Sequence, residues 1–143
     1  HYIVGLDGEI VQMVLDHDCA WHCGVSKWDG KEGCNTRALG IEIVNWGRLE
    51  RKGNRFFCWP NDYTYPYEGP DPILQDDAWW PPYPDQQIES VIALSRLLIA
   101  TYSIPSKNIV GNSDIDPGRK IDPGPLFPWH RIRPALANPA TVV

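Results

Sequence analysis

One segment of the chain, from about residue 84 to residue 102, has the apolar periodicity of a long helix. Its repeating side chains form a single face that must be buried: Ile88, Val91, Ile92, Ser95, Leu98, Ile99 and Tyr102. The 143 residues include 14 prolines and 12 glycines, which disfavour further long helices. We therefore expect the rest of the chain to form short strands and turns, with one short helix after Pro128.

Short apolar runs predict strands that the helix can cover. Residues 1–6 and 9–14 are rich in β-formers and are separated by Asp7-Gly8, which is a strong hairpin signal. Residues 39–44 predict a third strand, which is apolar apart from one carboxylate, Glu42. Residues 108–111 predict a fourth short strand. A charged side chain inside an apolar strand is costly unless it is paired, used or solvated.

Residues 45–83 form a long stretch rich in Trp, Tyr, Pro and Asp, and we expect it to be mostly irregular. Residues 55–59 are its one candidate strand. Long irregular loops are uncommon in compact domains and are often functional. Two interpretations remain open: the aromatic side chains pin the loop to the body, or they contact a substrate.

Overall charge and hydropathy exclude several classes of protein. The formal net charge is −5, which argues against a nucleic-acid binder with a broad basic face. No apolar run approaches the roughly 20 residues that a membrane span needs. The length predicts a single domain over residues 1–143. The oligomeric state is not indicated.

Four cysteines bear on the compartment: Cys19, Cys23, Cys34 and Cys58. They could form two disulfides, or some could be buried thiols. None of the spacings is a C-x-x-C pair, so a structural zinc site is poorly supported. An even number of cysteines in a small Trp-rich and Pro-rich domain slightly favours an oxidising compartment.

The segment 111–129 contains the residues best suited to chemistry. Its prolines at 117, 123 and 125 stiffen it by fixing φ. Lys120 and Asp122 are two residues apart, so in an extended segment their side chains point to the same side. A rigid loop that holds a cation beside a carboxylate suits a catalytic site. By spacing alone, a surface ion pair on a turn is an equally good interpretation.

This segment closely resembles the second metal-binding loop of the zinc-dependent N-acetylmuramoyl-L-alanine amidases of the amidase-2 type. That family includes periplasmic and phage peptidoglycan amidases and the peptidoglycan recognition proteins. Further motifs agree in the family's order: His1-Tyr2-Ile3-Val4 with Asp7-Gly8, residues 20–26, residues 35–42 and residues 108–111. The resemblance covers nearly the whole chain. It implies an α/β (α+β) fold with a mixed central β-sheet flanked by helices, here without the family's first strand and helix.

The resemblance also implies a reaction. The family cleaves the amide between the lactyl group of N-acetylmuramic acid and L-alanine. Its zinc is held by two His and one Asp or Cys, with an open position for water. By position, Asp122 is similar to the carboxylate ligand, Lys120 to the oxyanion stabiliser and Glu42 to the general base. The partner implied is peptidoglycan or a muropeptide, and the compartment is periplasmic or extracellular.

Three further residues match motifs beside the family's groove: Trp21, His22 and Asn35. The resemblance makes them candidates for substrate binding. A structural turn that contains a hydrogen-bonded His is the alternative interpretation.

Two departures from the family pattern affect zinc. Asn112 occupies a position where the family has a His ligand, and an amide oxygen is a weaker zinc donor than imidazole. The second His ligand belongs to a strand expected before His1. We therefore expect impaired zinc binding and impaired hydrolysis. The alternatives are a pseudo-amidase that binds peptidoglycan without cleaving it, or an amidase fold used as a scaffold subunit.

Overall fold

The computed structural model describes residues 1–60 and 62–137. In chain order its strands are β1 (Tyr2–Val4), β2 (Ile10–Gln12), β3 (Lys27–Trp28), β4 (Lys31–Glu32), β5 (Ile41–Ile43), β6 (Leu49–Lys52), β7 (Arg55–Cys58), β8 (Asp62–Pro66), β9 (Ile73–Gln75) and β10 (Ala78–Trp80). The helices are α1 (Asp85–Tyr102), α2 (Asn112–Ile115) and α3 (Trp129–Ala137). None of the helices in these described ranges is long and apolar enough to cross a bilayer.

A small mixed sheet forms the first layer, in the order β2-β1-β5. Strand β1 pairs antiparallel with β2 and parallel with β5, so Ile3 lies opposite Val11 on one side and Glu42 on the other. The Asp7-Gly8 hairpin and the mixed sheet are both confirmed. Gly8 has a φ of 83° in the turn, a conformation that glycine adopts without strain.

Helix α1 covers this sheet, and the predicted helix is confirmed within one residue at its start. Its buried side chains pack with those of β1, α3 and the loop before α3 into the main core: Val4, Ile88, Val91, Ile92, Leu94, Leu98, Phe127, Ile132 and Leu136. Helix α3 confirms the short helix expected after Pro128. Tyr102 departs from the predicted buried face, because it is 48% exposed and its hydroxyl donates to Asp16.

One fully buried polar side chain links α1 to the sheet. Gln87 is 0% exposed. Its amide nitrogen donates to the carbonyl of Val4 at 3.1 Å and to that of Val44 at 2.8 Å. These carbonyls lie at the same ends of two parallel neighbouring strands, so one amide fixes the helix against both.

The expectation of an irregular stretch over residues 45–83 is wrong. This stretch folds into a five-stranded antiparallel sheet in the order β8-β7-β6-β10-β9. Two tight turns allow it. Gly53 has a φ of 64° between β6 and β7, and Asp76 and Asp77 have φ values of 51° and 57° between β9 and β10. Positive φ at the first central residue, as at Gly53, or at both, as at Asp76 and Asp77, gives the two turn types that match strand twist. The candidate strand at 55–59 is confirmed as β7.

The strand predicted at residues 108–111 is also wrong. Residues Ser106–Asn108 form a 3-10 turn, and α2 begins at Asn112. The amides of Asn108 and Ile109 bond back three residues, so they are not available for pairing with a strand. The apolar Val110 packs instead on a second small core made by Cys23, Cys34 and Ile115.

All four cysteines are free thiols in this structure. Cys23 and Cys34 are buried, which agrees with the buried-thiol interpretation for that pair. Cys19 is exposed and Cys58 is half-buried. The second core is therefore held by packing and hydrogen bonds.

Candidate functional site

The loop from Asn112 to Gly124 is closed on itself by backbone bonds. The amide of Ser113 donates to the carbonyl of Asp122 at 2.9 Å, which joins the start of α2 to the far end of the loop. The Asp114 carboxylate accepts from the amide of Gly111 at 2.9 Å. Asn112, the first residue of α2, is thereby brought beside Asp122, which lies ten positions later in the chain.

The arrangement places Asn112 and Asp122 in direct contact. The side-chain nitrogen of Asn112 donates to a carboxylate oxygen of Asp122 at 2.6 Å. Asn112 is half-buried and Asp122 is exposed, so solvent and ligands reach the pair. The orientation of the amide follows from the charge of its neighbour, because an amide oxygen turned toward the carboxylate would be repelled.

This pair does not fit a catalytic zinc. A cation bound by both side chains would need the Asn112 amide to turn its oxygen away from this hydrogen bond, and that oxygen is a weaker zinc donor than imidazole. Within residues 1–60 and 62–137, no three His, Cys, Asp or Glu side chains are grouped so that they could hold a metal ion. The impaired zinc binding expected from the family pattern stays a prediction.

The second sheet supports the end of the loop that carries Asp122. The Tyr83 hydroxyl donates to the carbonyl of Pro123 at 2.7 Å. Burial, reinforced by the nearby negative charge of Asp122, raises the pKa of Tyr83, so it stays a donor at physiological pH. Gly124 has a φ of 83°, and a Cβ there would lie 2.8 Å from the Trp80 ring. No larger side chain fits at this point.

An ion pair and two backbone contacts anchor the middle of the loop. Arg119 contacts the Asp116 carboxylate at 2.6 Å. The same guanidinium donates to the carbonyls of Cys23 at 3.1 Å and Val25 at 2.9 Å. The loop is thus tied to the segment that follows Trp21.

Lys120 and Glu42 stand apart from the Asn112–Asp122 pair in their contacts. Glu42 is exposed on β5, and Lys120 is half-buried in the loop. Among the described residues, no hydrogen bond or ion pair links either side chain to Asp122. Their assignment as general base and oxyanion stabiliser stays a prediction.

Buried hydrogen bonds to Asn35 hold the segment that contains Trp21 and His22. Asn35 is buried, and its side-chain oxygen accepts from the amides of His22 and Cys23 at 3.0 Å each. Burial lowers the pKa of His22, partly offset by its bond to the Ala38 carbonyl, so the ring is neutral at pH 7. Trp21 is 87% exposed. Trp21 therefore offers a ring to a ligand, while Asn35 orients the backbone beneath it.

Gly40 lies between two histidines. Its amide donates to the Nδ1 atom of His1 at 3.0 Å, and the His1 ring is 5.8 Å from that of His22. Because Nδ1 accepts, the proton of His1 is on Nε2, which donates to the carbonyl of Asp18 at 3.1 Å. Both ring nitrogens of this buried residue are used inside the fold.

Three supporting residues were missed by sequence reasoning: Trp80, Tyr83 and Gln87. The first two lie in or just after β10, within the aromatic stretch for which pinning and substrate contact were both open. Trp80 and Tyr83 do hold a loop in place, but that loop is the one that carries Asp122. Gln87 lies on the buried face of a correctly predicted helix, where a polar residue gives no local signal.

Comparison with known proteins identifies the family. The amidase-2 model, described as N-acetylmuramoyl-L-alanine amidase, matches residues 1–125. The amidase AmpD of Escherichia coli, which is named for 1,6-anhydro-N-acetylmuramyl-L-alanine, is 35% identical over 141 residues, covering 99% of this chain and 60% of AmpD. The N-acetylmuramoyl-L-alanine amidase AmiD of the same organism is 34% identical over 123 residues, covering 86% of this chain and 36% of AmiD. The chain thus spans less than two thirds of each of these curated relatives.

Solved structures agree with these sequence matches. AmiD of E. coli in complex with the substrate anhydro-N-acetylmuramic acid-L-Ala-D-γ-Glu-L-Lys has a TM-score of 0.71 at 31% identity, covering 94% of this chain and 46% of that one. AmpDh3 of Pseudomonas aeruginosa with an anhydromuramic pentapeptide has a TM-score of 0.65 at 32% identity, covering 89% and 41%. The family resemblance and the mixed α+β fold are confirmed, and the chain belongs to the amidase-2 family of N-acetylmuramoyl-L-alanine amidases.

Proposed function

We propose that this chain binds the N-acetylmuramoyl-L-alanine unit of a muropeptide or of peptidoglycan at the Asn112–Asp122 loop, with impaired hydrolysis. Its place of action would be the periplasm or the cell exterior, where that polymer lies. Family membership supports the substrate class. So do the muropeptide ligands in the structures of the AmiD and AmpDh3 complexes. The observation that carries the impairment is the hydrogen bond from Asn112 to Asp122.

The chemistry of the pair suits an amide ligand. Asp122 keeps a second carboxylate oxygen that can accept from a substrate N–H, and Asn112 keeps a carbonyl oxygen that can do the same. Lys120, two residues before Asp122, supplies a cation for a carbonyl or carboxylate of the stem peptide. The exposed Trp21 ring offers an apolar surface to the sugar.

The family's zinc would polarise the scissile carbonyl and activate a water molecule. With Asn112 in place of a His ligand, this chain is poorly equipped for that chemistry. What the described residues can do is orient the lactyl–alanine amide and bind it through hydrogen bonds.

Calorimetry with the soluble ligand anhydro-N-acetylmuramic acid-L-Ala-D-γ-Glu-L-Lys tests the proposal. We expect binding that falls about ten- to hundredfold in Asp122→Ala, since a hydrogen bond to a charged group contributes about 1.5–3 kcal/mol. Glu32→Ala removes an exposed carboxylate on β4 and serves as the control. Metal analysis of the purified chain should find substoichiometric zinc, and chromatography should find little released peptide.

The possible results separate the alternatives. Stoichiometric zinc together with rapid release of the peptide would contradict the impairment. Absence of binding would contradict recognition and would favour the scaffold alternative.

A further inference from the structure

The second sheet has one face that combines cations with aromatic rings. Glu50 lies opposite Phe57 across the β6–β7 pair, and Lys52 lies opposite Arg55. Residues that face each other across a ladder share one side of the sheet, as do alternate residues along each strand. This places seven residues on one side, and we call them the cationic–aromatic face: Arg48, Glu50, Lys52, Arg55, Phe57, Trp59 and Tyr63.

Contacts within this face agree with the register. The Arg48 guanidinium lies 4.5 Å from the centroid of Trp59, and the Lys52 ammonium lies 4.2 Å from that of Tyr63. The Tyr63 ring contacts Phe57 at 5.4 Å between centroids. Stacked cations and rings are pre-ordered, so less side-chain freedom is lost when a ligand binds.

The face is open, and its charge stands out from the rest of the molecule. Trp59 is 41% exposed and Tyr63 is 37% exposed. Three of the 13 Lys and Arg lie on this face beside one carboxylate, Glu50, in a chain whose net charge is −5. In the part of the chain that the structure describes, no carboxylate forms an ion pair with Arg48, Lys52 or Arg55.

The same side of the sheet reaches the Asp122 loop. Trp79 lies opposite Leu49, so its neighbour Trp80 is on the side that carries the cationic–aromatic face. Trp80 covers Gly124, two residues after Asp122. With strands about 4.8 Å apart, the face extends from β6 to β8 over about 10 Å, starting one strand from the loop. A ligand longer than one muropeptide unit could contact both.

We propose that the cationic–aromatic face binds the peptidoglycan polymer beyond the unit held at the Asp122 loop. Sugar rings would stack on Trp59 and Tyr63, and stem-peptide carboxylates would pair with Arg48, Lys52 and Arg55. The AmiD ligand shows the charge required, because a γ-linked glutamate keeps a free α-carboxylate. The proposal rests on the proposed function for its substrate class.

Charge complementarity favours this occupant over a nucleic acid. Aromatic and basic grooves also bind single strands, with one phosphate at every nucleotide. The chain carries net negative charge, and Glu50 lies within the cationic–aromatic face, where it accepts from the Tyr63 hydroxyl at 2.9 Å. A polymer with sparse carboxylates on uncharged sugars fits this mixture better.

Co-sedimentation of the chain with purified peptidoglycan sacculi over a range of salt concentrations is the test. We expect Lys52→Gln/Arg55→Gln to bind about fivefold more weakly at low salt and with a flatter salt dependence. Trp59→Ala should bind about fivefold more weakly at every salt concentration. Lys27→Gln/Lys31→Gln removes two exposed cations from the β3–β4 hairpin and should bind as the unchanged chain does. Urea unfolding of each variant checks that it is folded.

The soluble muropeptide separates this proposal from the proposed function. We expect its binding to be unchanged in all three variants, because it contacts only the loop. If sacculi retain all variants equally, the face is not a binding surface, while the site can still stand. If sacculi binding depends on the face but the soluble muropeptide is not bound, the site proposal fails and the face proposal stands. Tighter binding of single-stranded poly(U) than of sacculi would overturn the face proposal.

Discussion

Replacing Gly40 by alanine probes how tightly the His22 segment is held. A Cβ on Gly40 would lie 2.4 Å from the Cγ atom of His22, whereas carbon atoms in contact prefer about 3.5–4.0 Å. The ring would have to move by about 1 Å. It cannot do so freely, because the His22 amide is bonded to Asn35 and the ring to Ala38. The Gly40 amide is fixed in turn by His1.

Overpacking of this kind costs about 1–3 kcal/mol. The φ of Gly40 is outside the left-handed region, so alanine can adopt it without strain. Alanine therefore also stabilises the fold by about 0.4–1 kcal/mol, because it lowers the conformational entropy of the unfolded chain. We therefore expect a net loss of about 1–2 kcal/mol in the free energy of unfolding, measured by urea denaturation with an unchanged slope. The loss should shrink but not vanish in the His22→Ala background, because the Cβ of residue 22 stays 2.8 Å from the added Cβ while the ring contact is removed. The coupling is measurable as a double-mutant cycle.

Gly118 is the matched control for this experiment. A Cβ there meets no atom within 4 Å, and its φ is also outside the left-handed region. Gly118→Ala should be neutral or slightly stabilising. If Gly40→Ala costs no more than Gly118→Ala, or if its cost is undiminished without the His22 ring, the packing argument is refuted.

Further predictions concern the groups that support the site. Gly124→Ala should cost about 2–3 kcal/mol in urea unfolding, because it adds strain at positive φ to the close approach of Trp80. Tyr83→Phe should cost about 1 kcal/mol by the same measurement, since it removes one hydrogen bond to the loop. Asn35→Ala leaves two buried amides without their acceptor and should cost about 2–4 kcal/mol. The lowered pKa of His22 means that the unfolded chain binds more protons, so urea stability should rise with pH up to about 6.5, less steeply in a His22→Ala chain.

The parts of the fold that sequence reasoning predicted correctly are those with a local signal. Helix α1 repeats its apolar residues over five turns, and the Asp7-Gly8 turn separates two apolar runs. The second sheet lacks such a signal. Its strands are three to five residues long, and it places large side chains such as Phe56 and Phe57 on opposite faces, which hides the period of two. Asp76-Asp77 is also a less familiar hairpin turn than Asn-Gly.

The site residues also divide into those with a local sequence signal and those without one. That Lys120 and Asp122 belong to a stiff loop follows from the local prolines. The contact between Asn112 and Asp122 does not, because it depends on a backbone bond that closes a ten-residue excursion. Only the family resemblance connected those positions beforehand. The false strand at 108–111 shows the limit of short apolar runs, which have the same pattern in an edge strand and after an exposed turn whose following apolar residues are half-buried.

The Gln87 amide has a consequence for which sequences this fold can tolerate. Both of its bonds run from nitrogen to main-chain oxygen, at Val4 and at Val44. Glutamate has nearly the same shape, yet at neutral pH it would turn negative oxygens toward two oxygens that already carry partial negative charge. A Gln→Glu exchange changes little on a solvent-exposed helix. At residue 87 it would replace two hydrogen bonds to the strands by repulsion. A change of one atom, from nitrogen to oxygen, thus acts directly on the contact between α1 and the first sheet.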